Sequence, residues 1–342
     1  MKYKLLGRSG LRVSELCLGT MTFGEDWGWG ATREESKKIF DSFAEAGGSF
    51  IDTSSNYTNG TSERYVGEFI AGEQDSFVVA TKYTLRRPGS NPQDLNAGGN
   101  QRKNIMRTVE ESLKRLNTDH IDLFYLHIWD FTTPVEEVLR GFDDLVRSGK
   151  VLYIGISDTP AWIASYAQAI AELRGWNRLV AYQGEYSLLE RGIERDVLPM
   201  TRSMEMALLA FGMLGGGVLT GKFNQPEGAG EGTRARRASQ QEKDAAQVLL
   251  EVASECGCTA SQAAINWVRQ QYANIIPILG ARRLSQIEDN LGALEFSLNE
   301  EQLKRLSDIN QPDPGFPHSF WNDYVRRDLI FGEKLDDLQT DR

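Results

Sequence analysis

Residues 121–157 read IDLFYLHIWDFTTPVEEVLRGFDDLVRSGKVLYIGIS, and they contain two apolar runs separated by one segment with helical periodicity. The runs Ile121–His127 and Val151–Ser157 are rich in β-branched and aromatic residues, which is typical of strands. Thr133 and Pro134 precede the central segment and predict an N-cap followed by a first-turn proline. Because both strands are almost continuously apolar, they indicate a parallel sheet covered by helices.

The same unit recurs along the chain, at intervals of roughly 28 to 30 residues, the length of one strand–helix unit. The eight predicted strands are Glu15–Gly19, Ser49–Ser54, Phe77–Lys82, Ile121–His127, Val151–Ser157, Leu179–Tyr186, Ala207–Met213 and Ile275–Gly280. Eight such units predict a closed (β/α)8 TIM barrel. A doubly wound open sheet is the alternative, although the chain lacks the glycine fingerprint of a dinucleotide fold.

Sequence signals also mark the start of the chain and several helix ends. Tyr3–Leu6 and Leu11–Ser14 flank a Gly-rich turn and predict an N-terminal β-hairpin that plugs the bottom of the barrel. Thr32 with Glu35, and Thr259 with Gln262, predict capping boxes, and Gly47 predicts a helix stop. A closed barrel of this length folds as one unit, so we expect residues 1–342 to form a single domain.

The composition is that of an ordinary globular protein. Of the 342 residues, 40% are hydrophobic and 25% are charged, which supplies a large core and excludes disordered or collagen-like structure. The 48 acidic and 38 basic side chains give a net charge of -10, whose field repels nucleic acid and anionic membrane surfaces. We therefore expect no nucleic-acid or membrane partner.

The chain start and the scarce cysteines and histidines bear on location and metal content. Residues 1–12 lack the apolar stretch of a secretory signal, and no long uncharged apolar run follows, which predicts a cytoplasmic protein. Cys256 and Cys258 have a spacing that fits neither a redox pair nor a zinc knuckle. With 3 histidines in the chain, a His-rich metal site has almost no ligands, so we expect no metal.

Two long intervals, 83–103 and 212–240, contain Gly, Pro, Asn and charged residues instead of periodic apolar ones. Both follow a predicted strand. Because the loops after the strands of a barrel build its active face, we expect both to be binding loops. For the C-terminal segment 311–342, the sequence leaves open whether it folds over this face as a lid or packs against the outside.

Four titratable side chains are predicted to converge at the mouth of the barrel. Asp52, Lys82 and His127 lie at the ends of three strands, and Tyr57 follows on the next loop. Lys82 placed against the Tyr57 hydroxyl would lower the phenol's pKa, and Asp52 would keep the ammonium charged. His127 would then donate a hydrogen bond to a carbonyl oxygen, and the four groups would stabilise and protonate an alkoxide. Taken singly, each residue also has a purely structural explanation.

The sequence resembles the aldo-keto reductase superfamily over nearly its whole length. The matching motifs, in family order, are LGTMTFG at 18–24, IDTSSNY at 51–57, ATK at 80–82, the stretch 120–127, GKVLYIGIS at 149–157, QGEYSLLER at 183–191, LGGGVLTGKF at 214–223 and ILGARRLSQIEDNLGAL at 278–294. The resemblance implies that Asp52, Tyr57, Lys82 and His127 form a catalytic tetrad, with Tyr57 as general acid in reduction and general base in oxidation. It implies NADPH/NADP+ as cofactor and an aldehyde, ketone or sugar carbonyl as substrate.

The resemblance also implies which residues contact the cofactor. They are Thr20, Met21 and Asp52 at the nicotinamide, Ser157 and Gln183 at its carboxamide, Phe211 stacked on its ring, Gly212, Leu214, Gly215 and Lys222 at the pyrophosphate, and Gly280, Arg282, Gln286, Asp289 and Asn290 at the adenosine end. Lys222 would add positive charge at the phosphates, which the net negative charge of the protein otherwise repels. Arg282 and Arg283 are either a 2′-phosphate site or a solvated helix start.

Two positions depart from the family pattern. Phe211-Gly212-Met213-Leu214 stands where the family usually has an aromatic followed by Ser-Pro-Leu, so one hydroxyl contact to the phosphates is missing. Asp158 follows Ser157 where Asn is common. Because a carboxylate cannot donate as an amide does, Asp158 is left outside the cofactor set.

Other functions remain to be weighed against a carbonyl reductase. Gly216–Lys222 matches the first positions of a P-loop, but Phe223 replaces the Ser or Thr that holds magnesium, which disfavours an NTPase. A subunit that binds NADPH to sense redox state for a partner, with little turnover, is compatible with an intact tetrad. The chain carries no long tail or extra domain for docking, which favours a working enzyme; its oligomeric state is open.

Several tryptophans occur on predicted loops near the mouth. An isolated tryptophan usually packs in a core, but aromatic rings on neighbouring loops also form the walls of ligand sites. We expect Trp27, Trp129 and Trp321 to line the substrate pocket.

Overall fold

Eight parallel strands close into a barrel in the computed structural model, which describes residues 1–221, 238–321 and 324–338. The barrel strands are β3 (Cys17–Gly19), β4 (Phe50–Asp52), β5 (Val78–Tyr83), β6 (Ile121–Leu126), β7 (Val151–Ser157), β8 (Leu179–Glu185), β9 (Ala207–Phe211) and β10 (Ile275–Gly280). Strands that follow each other in sequence are neighbours, and β10 pairs with β3 to close the sheet. The predicted (β/α)8 barrel is confirmed.

Helices follow every barrel strand and cover the outside of the barrel. They are α1 (Arg33–Glu45), α2 (Thr61–Phe69), α3 (Arg102–Leu116), α4 (Val135–Arg147), α5 (Ala161–Arg174), α6 (Val197–Ser203), α7 (Gln240–Cys256), α8 (Ala260–Gln270), α9 (Leu284–Leu291) and α10 (Glu300–Asp308). No helix among the described residues is long and apolar enough to cross a bilayer.

Three helix starts test the predicted capping signals. Thr259 and Gln262 form the reciprocal capping box predicted for α8. At α1, the Thr32 hydroxyl accepts from the Glu35 N–H, but the Glu35 carboxylate accepts from the Leu284 N–H, so it links α1 to α9. The prediction for α4 is wrong by one residue. Pro134 itself occupies the N-cap position there, and the preceding threonine donates its hydroxyl hydrogen to an aspartate instead.

The N-terminal hairpin closes the end of the barrel where the strands begin. Its strands, β1 (Tyr3–Leu5) and β2 (Arg12–Ser14), pair antiparallel, as predicted. Leu6 and Val13 are completely buried in the apolar cluster that fills the barrel interior. At the turn, a Cβ on Gly7 would lie 2.2 Å from the Val180 carbonyl oxygen, so only glycine fits this close approach to the start of the sheet.

The opposite end, where the strands finish, carries the long loops. Asn100, near the end of the loop after β5, donates from its amide to Thr84 Oγ1 at 2.9 Å and to the Ile128 carbonyl at 3.0 Å. These bonds tie the loop to the one that follows β6. Of interval 212–240, residues 222–237 lie outside the described part of the chain, so the binding role of the two loops stays a prediction, as does the single domain.

The C-terminal segment leaves the barrel beside the loop after β8. Arg191, in that loop, donates to the carbonyls of Ser307 and Asn310. The Asn310 amide in turn donates to the Leu189 carbonyl at 2.9 Å. Beyond this point the described residues form short 3-10 and π-helical turns. Whether they act as a lid stays open.

Candidate active site

The alternation of side chains along three neighbouring strands aims Asp52, Lys82 and His127 into the barrel mouth. Successive residues of a strand point to opposite faces, so every second residue lies inside. The interior cluster contains Phe50 on β4, Val78 and Ala80 on β5, and Leu123 and Tyr125 on β6. Continuing this period by two residues on each strand leads to the aspartate, the lysine and the histidine. Their side chains thus form the top layer of the interior.

Lys82 is the centre of the site. Its ammonium group donates to Asp52 Oδ2 at 2.5 Å, to the Thr53 carbonyl at 2.8 Å and to the Tyr57 hydroxyl at 3.4 Å. The side chain is completely buried, and its three N–H donors meet three acceptors. Burial lowers the pKa of Lys82, but Asp52 and Tyr57 together raise it by more, so the net pKa lies above its ordinary value. Lys82 is therefore a buried cation at neutral pH.

Tyr57 keeps its proton more firmly than the sequence predicts. Burial raises the pKa of the phenol, and the opposing effect of Lys82 does not overcome it, so the net pKa lies above the ordinary value of 10.0. Lys82 does act to lower this pKa, as the sequence predicts, but the net pKa does not fall below its ordinary value. The reason is that desolvation of the phenolate outweighs the neighbouring cation. At neutral pH Tyr57 is consequently a proton donor next to a positive charge.

His127 lies beside Tyr57 and is uncharged. The two rings meet edge to face with centroids 5.9 Å apart, and His127 Nδ1 lies 3.2 Å from Ser54 Oγ. Burial, aided by the Lys82 charge, lowers the pKa of His127 to about 3. At neutral pH the imidazole thus has one N–H donor and one acceptor nitrogen.

Gln183 connects the opposite wall of the barrel to this group. Its Nε2 donates to Asp52 Oδ1 at 2.9 Å, so the buried carboxylate is held by Gln183 on one oxygen and by Lys82 on the other. Ser157 pairs with Gln183 in the β7–β8 register. The Ser157 hydroxyl is buried and has no hydrogen-bond partner among the described residues. Because buried polar groups are normally satisfied, this orphan hydroxyl beside Gln183 fits a polar ligand group such as an amide.

The remaining cofactor candidates follow the rim over β9, β10 and β3. Gly280 pairs with Gly19 in the β10–β3 register, which brings the start of the 280s next to Thr20 and Met21. Thr20 is buried, and its hydroxyl donates to the Asp52 carbonyl at 2.9 Å, whereas Met21 is 44% exposed. Phe211 ends β9 and is partly buried.

The loop after β9 exposes backbone instead of side chains. Gly212, Gly215, Gly216 and Gly217 have φ values of 77°, 54°, 64° and 100°, a conformation that favours glycine. A Cβ on Gly217 would meet nothing within 4 Å, so the backbone there is accessible. The Gly215 and Gly217 N–H groups already donate to the Gly212 and Leu214 carbonyls, so an anion at this turn would accept from the Gly216 N–H. Lys222, the predicted charged partner, lies outside the described residues.

The candidate residues for the adenosine end of the predicted cofactor site differ in exposure and in hydrogen-bond partners. Arg282 and Arg283 are exposed, and the Arg282 N–H donates to Gln286 Oε1 at 2.8 Å. Asn290 is buried. Asp289 accepts from Thr259 Oγ1 at 3.2 Å and from the Gln262 amide, so its carboxylate supports the start of α8.

The three tryptophans predicted for the substrate pocket have different surroundings. Trp27 is partly buried and meets Tyr57 edge to face, with ring centroids 6.5 Å apart. The Trp29 ring packs against the Trp27 ring, with centroids 5.6 Å apart. Trp129 is buried in the main apolar cluster, although its backbone N–H reaches the Asp158 carbonyl. Trp321 belongs to the C-terminal segment and is 57% exposed. Of these three tryptophans, Trp27 is the one whose ring contacts a tetrad candidate among the described residues.

Sequence reasoning missed two polar residues, of which Ser54 contacts this group and Asn56 contacts Ser54. Ser54 Oγ lies against His127 Nδ1 and donates to Asn56 Oδ1 at 2.8 Å. Both residues stand between Asp52 and Tyr57 in the stretch IDTSSNY, so their position next to two candidates is the signal that could have found them.

Asp158 provides a prediction about stability. Burial raises the pKa of this carboxyl to about 6, with Lys82 acting in the opposite direction and Glu185 adding to the rise. Between pH 3.8, its ordinary pKa, and about 6 the folded state binds the proton more tightly than the unfolded chain, so stability falls as the pH rises through this window. We expect Asp158→Asn to raise the free energy of unfolding at pH 8 by about 1 kcal/mol, a value reduced for the exposure of the side chain, and to change it little at pH 3.

Thermal unfolding of both proteins at the two pH values measures this difference. Asparagine tolerates the positive φ of 39° at this position as aspartate does, so backbone strain does not contribute. Asp75→Asn, which neutralises an exposed carboxylate, is the matched control. An equal gain from Asp158→Asn at pH 3 and pH 8 would contradict the assignment of the effect to charge.

Comparison with known proteins identifies the family. The sequence model of the aldo/keto reductase family matches residues 15–311. A norsolorinic acid reductase of Aspergillus flavus is 39% identical over 326 residues, which are 92% of this chain and 82% of the relative. The aryl-alcohol dehydrogenase (NADP+) of Phanerodontia chrysosporium is 37% identical over 334 residues, or 92% of this chain and 87% of the relative. The chain therefore belongs to the aldo/keto reductase family and is an NAD(P)H-dependent oxidoreductase.

Proposed function

We propose that this enzyme reversibly reduces the carbonyl group of an aromatic aldehyde or ketone to an alcohol, with NADPH as reductant and Tyr57 as proton donor. The observation that carries the proposal is the Lys82 ammonium, which donates both to Asp52 and to the Tyr57 hydroxyl inside the barrel mouth. The name of one relative, a reductase, supports the reduction, and the name of the other, an aryl-alcohol dehydrogenase (NADP+), supports the aromatic substrate class and the cofactor.

Two features of the chain fit a dinucleotide. The orphan Ser157 hydroxyl beside Gln183 matches a carboxamide, and the exposed backbone at Gly216 matches a phosphate oxygen of a pyrophosphate. Arg282 and Arg283 form no ion pair with a carboxylate in the described part of the chain, and they offer guanidinium groups to a 2′-phosphate. When bound, NADPH supplies the hydride and NADP+ accepts it.

Side chains of the protein neutralise the negative charge that develops on the substrate oxygen. A carbonyl oxygen placed against the Tyr57 hydroxyl receives the phenolic proton as its negative charge grows. The phenolate that remains is stabilised by Lys82, whose own charge is maintained by Asp52. In the oxidation direction the same phenolate accepts the alcohol proton. Because both steps use one residue, the site works in both directions.

Trp27 supports an aromatic substrate. Its ring stands edge to face against Tyr57 and packs at a tilt against Trp29, so an apolar aromatic surface borders the proton donor. Aromatic surfaces of this kind favour an aromatic ligand, because the ligand ring replaces water on an apolar face.

The test is a turnover assay with NADPH or NADH against benzaldehyde, acetophenone, butanal and glucose. We expect the highest kcat/KM with NADPH and the aromatic carbonyl compounds. In Trp27→Ala we expect KM for benzaldehyde to rise about tenfold, with a smaller change for butanal, because the lost surface is aromatic. Tight NADPH binding without turnover of any compound would refute the proposed carbonyl reduction and favour a redox-sensing subunit. Preference for glucose would refute the aromatic substrate class.

A further inference from the structure

The hydrogen of the Ser54 hydroxyl has two competing acceptors. Ser54 Oγ lies 2.8 Å from Asn56 Oδ1 and 3.2 Å from His127 Nδ1. A hydroxyl has one hydrogen to donate, so it can serve one of these neighbours at a time. In the orientation described here, Ser54 donates to the Asn56 oxygen.

The direction of the Ser54 hydroxyl hydrogen determines which ring nitrogen of His127 carries the proton. The imidazole is neutral, since burial and Lys82 lower its pKa to about 3, and it therefore has a single N–H. When the Ser54 hydrogen points to Asn56, the short contact to Ser54 is a hydrogen bond only if Nδ1 carries the proton and donates it. Nε2 is then a bare acceptor. It cannot bond to a carbonyl oxygen, which also only accepts.

Rotation of the Asn56 amide reverses this arrangement. A half-turn brings Nδ2 to face Ser54, and the amide then donates to the hydroxyl oxygen. Ser54 is left to donate to Nδ1, which must be unprotonated, so the proton moves to Nε2. The half-turn breaks no other hydrogen bond of the amide, because Nδ2 has no partner among the described residues in its present orientation.

We propose that Ser54 and Asn56 are positioning residues that set the tautomer of His127, with the Nδ1–H form in the free protein and the Nε2–H form selected by a carbonyl substrate. The functional half of this inference rests on the proposed carbonyl reduction, because a substrate oxygen is what makes Nε2–H useful. The structural half concerns the free protein and does not depend on any activity.

Two substitutions separate the states. In Asn56→Asp the new carboxylate can only accept, so the Ser54 hydrogen stays on it and His127 is locked as Nδ1–H. Ser54→Ala removes the hydroxyl that accepts from His127 Nδ1–H, so His127 can populate the Nε2–H tautomer. Asn59→Asp is the matched control, since it adds the same charge at an exposed position of the same turn, where φ is 56° in the described structure and aspartate is tolerated.

The direct measurement is nitrogen-15 NMR of the histidine rings in the cofactor-free protein. The chain has only 3 histidines, so loss of one signal set in His127→Gln assigns the resonances. We expect the Nδ1–H tautomer in the wild type, in Asn56→Asp and in Asn59→Asp, and a substantial Nε2–H population in Ser54→Ala. The same tautomer in the wild type and in Ser54→Ala would overturn the inference.

Kinetics test the functional half. We expect Asn56→Asp to lower kcat for benzaldehyde reduction about 100-fold, the size of one lost hydrogen bond to a developing oxyanion, with an unchanged NADPH Kd. Asn59→Asp should keep wild-type kcat. Wild-type kcat in a folded Asn56→Asp protein would overturn this half. If the wild type reduces no carbonyl compound, the proposed function fails, while the NMR result still decides whether Ser54 and Asn56 set the tautomer.

Discussion

Tyr57→Phe is expected to lower kcat for carbonyl reduction by about 1,000-fold, within the range for loss of a general acid. The change removes one hydroxyl and leaves the ring against His127 and Trp27. Lys82 loses the longest of its three hydrogen bonds and keeps Asp52 and Thr53, so the fold and the cofactor site should survive. Steady-state kcat with benzaldehyde and the NADPH Kd from fluorescence quenching measure the two effects separately.

The control is Tyr166→Phe, which removes a hydroxyl from an exposed tyrosine that donates to Glu136 at 3.1 Å on the outside of the barrel. Its kcat should equal that of the wild type. A Tyr57→Phe enzyme that keeps kcat within tenfold of the wild type would show that another group delivers the proton. A loss of NADPH binding in the same variant would point to a structural role for the hydroxyl.

The barrel could be predicted from the sequence because each strand carries a local signal and the strands follow one repeating pattern. The observed strand ends differ from the predicted ones by at most two residues. Those differences have tertiary causes. Glu15, predicted to begin the first barrel strand, instead accepts from the Lys2 N–H and pairs with Arg269. After Asp52, the Thr53 carbonyl accepts from Lys82, and β4 ends at Asp52.

The candidate site was predictable as a set of strand-end residues but not in its electrostatics. Side-chain alternation is enough to aim Asp52, Lys82 and His127 at one mouth. The pKa of Tyr57 depends instead on how completely the phenol is desolvated, which the packing of the whole mouth decides. The sequence also cannot show that Ser54 contacts His127, because this contact depends on the rotamers of both side chains.

Lys82→Met is expected to destabilise the protein by about 3–5 kcal/mol, the usual cost of removing one partner of a buried ion pair. The substitution keeps an unbranched side chain of similar length but leaves the Asp52 carboxylate buried, with the Gln183 amide as its remaining side-chain donor among the described residues. Carbonyl reduction should fall below detection, because the cation that stabilises the Tyr57 phenolate is gone. Thermal unfolding at pH 7, where Tm should fall by roughly 5–10 °C, measures the first effect, and the assay with benzaldehyde measures the second.

The double variant Asp52→Asn/Lys82→Met separates stability from chemistry. Asparagine has nearly the shape of aspartate without its charge, so the unpaired buried charge disappears and Tm should recover most of the loss. Activity should not recover, because the cation is still absent. Since the two residues are in contact, their effects on the free energy of unfolding should be strongly non-additive. If the two single substitutions instead add within a few tenths of a kcal/mol, Lys82 and Asp52 do not act as a coupled pair, and Lys82 then cannot depend on Asp52 for its charge.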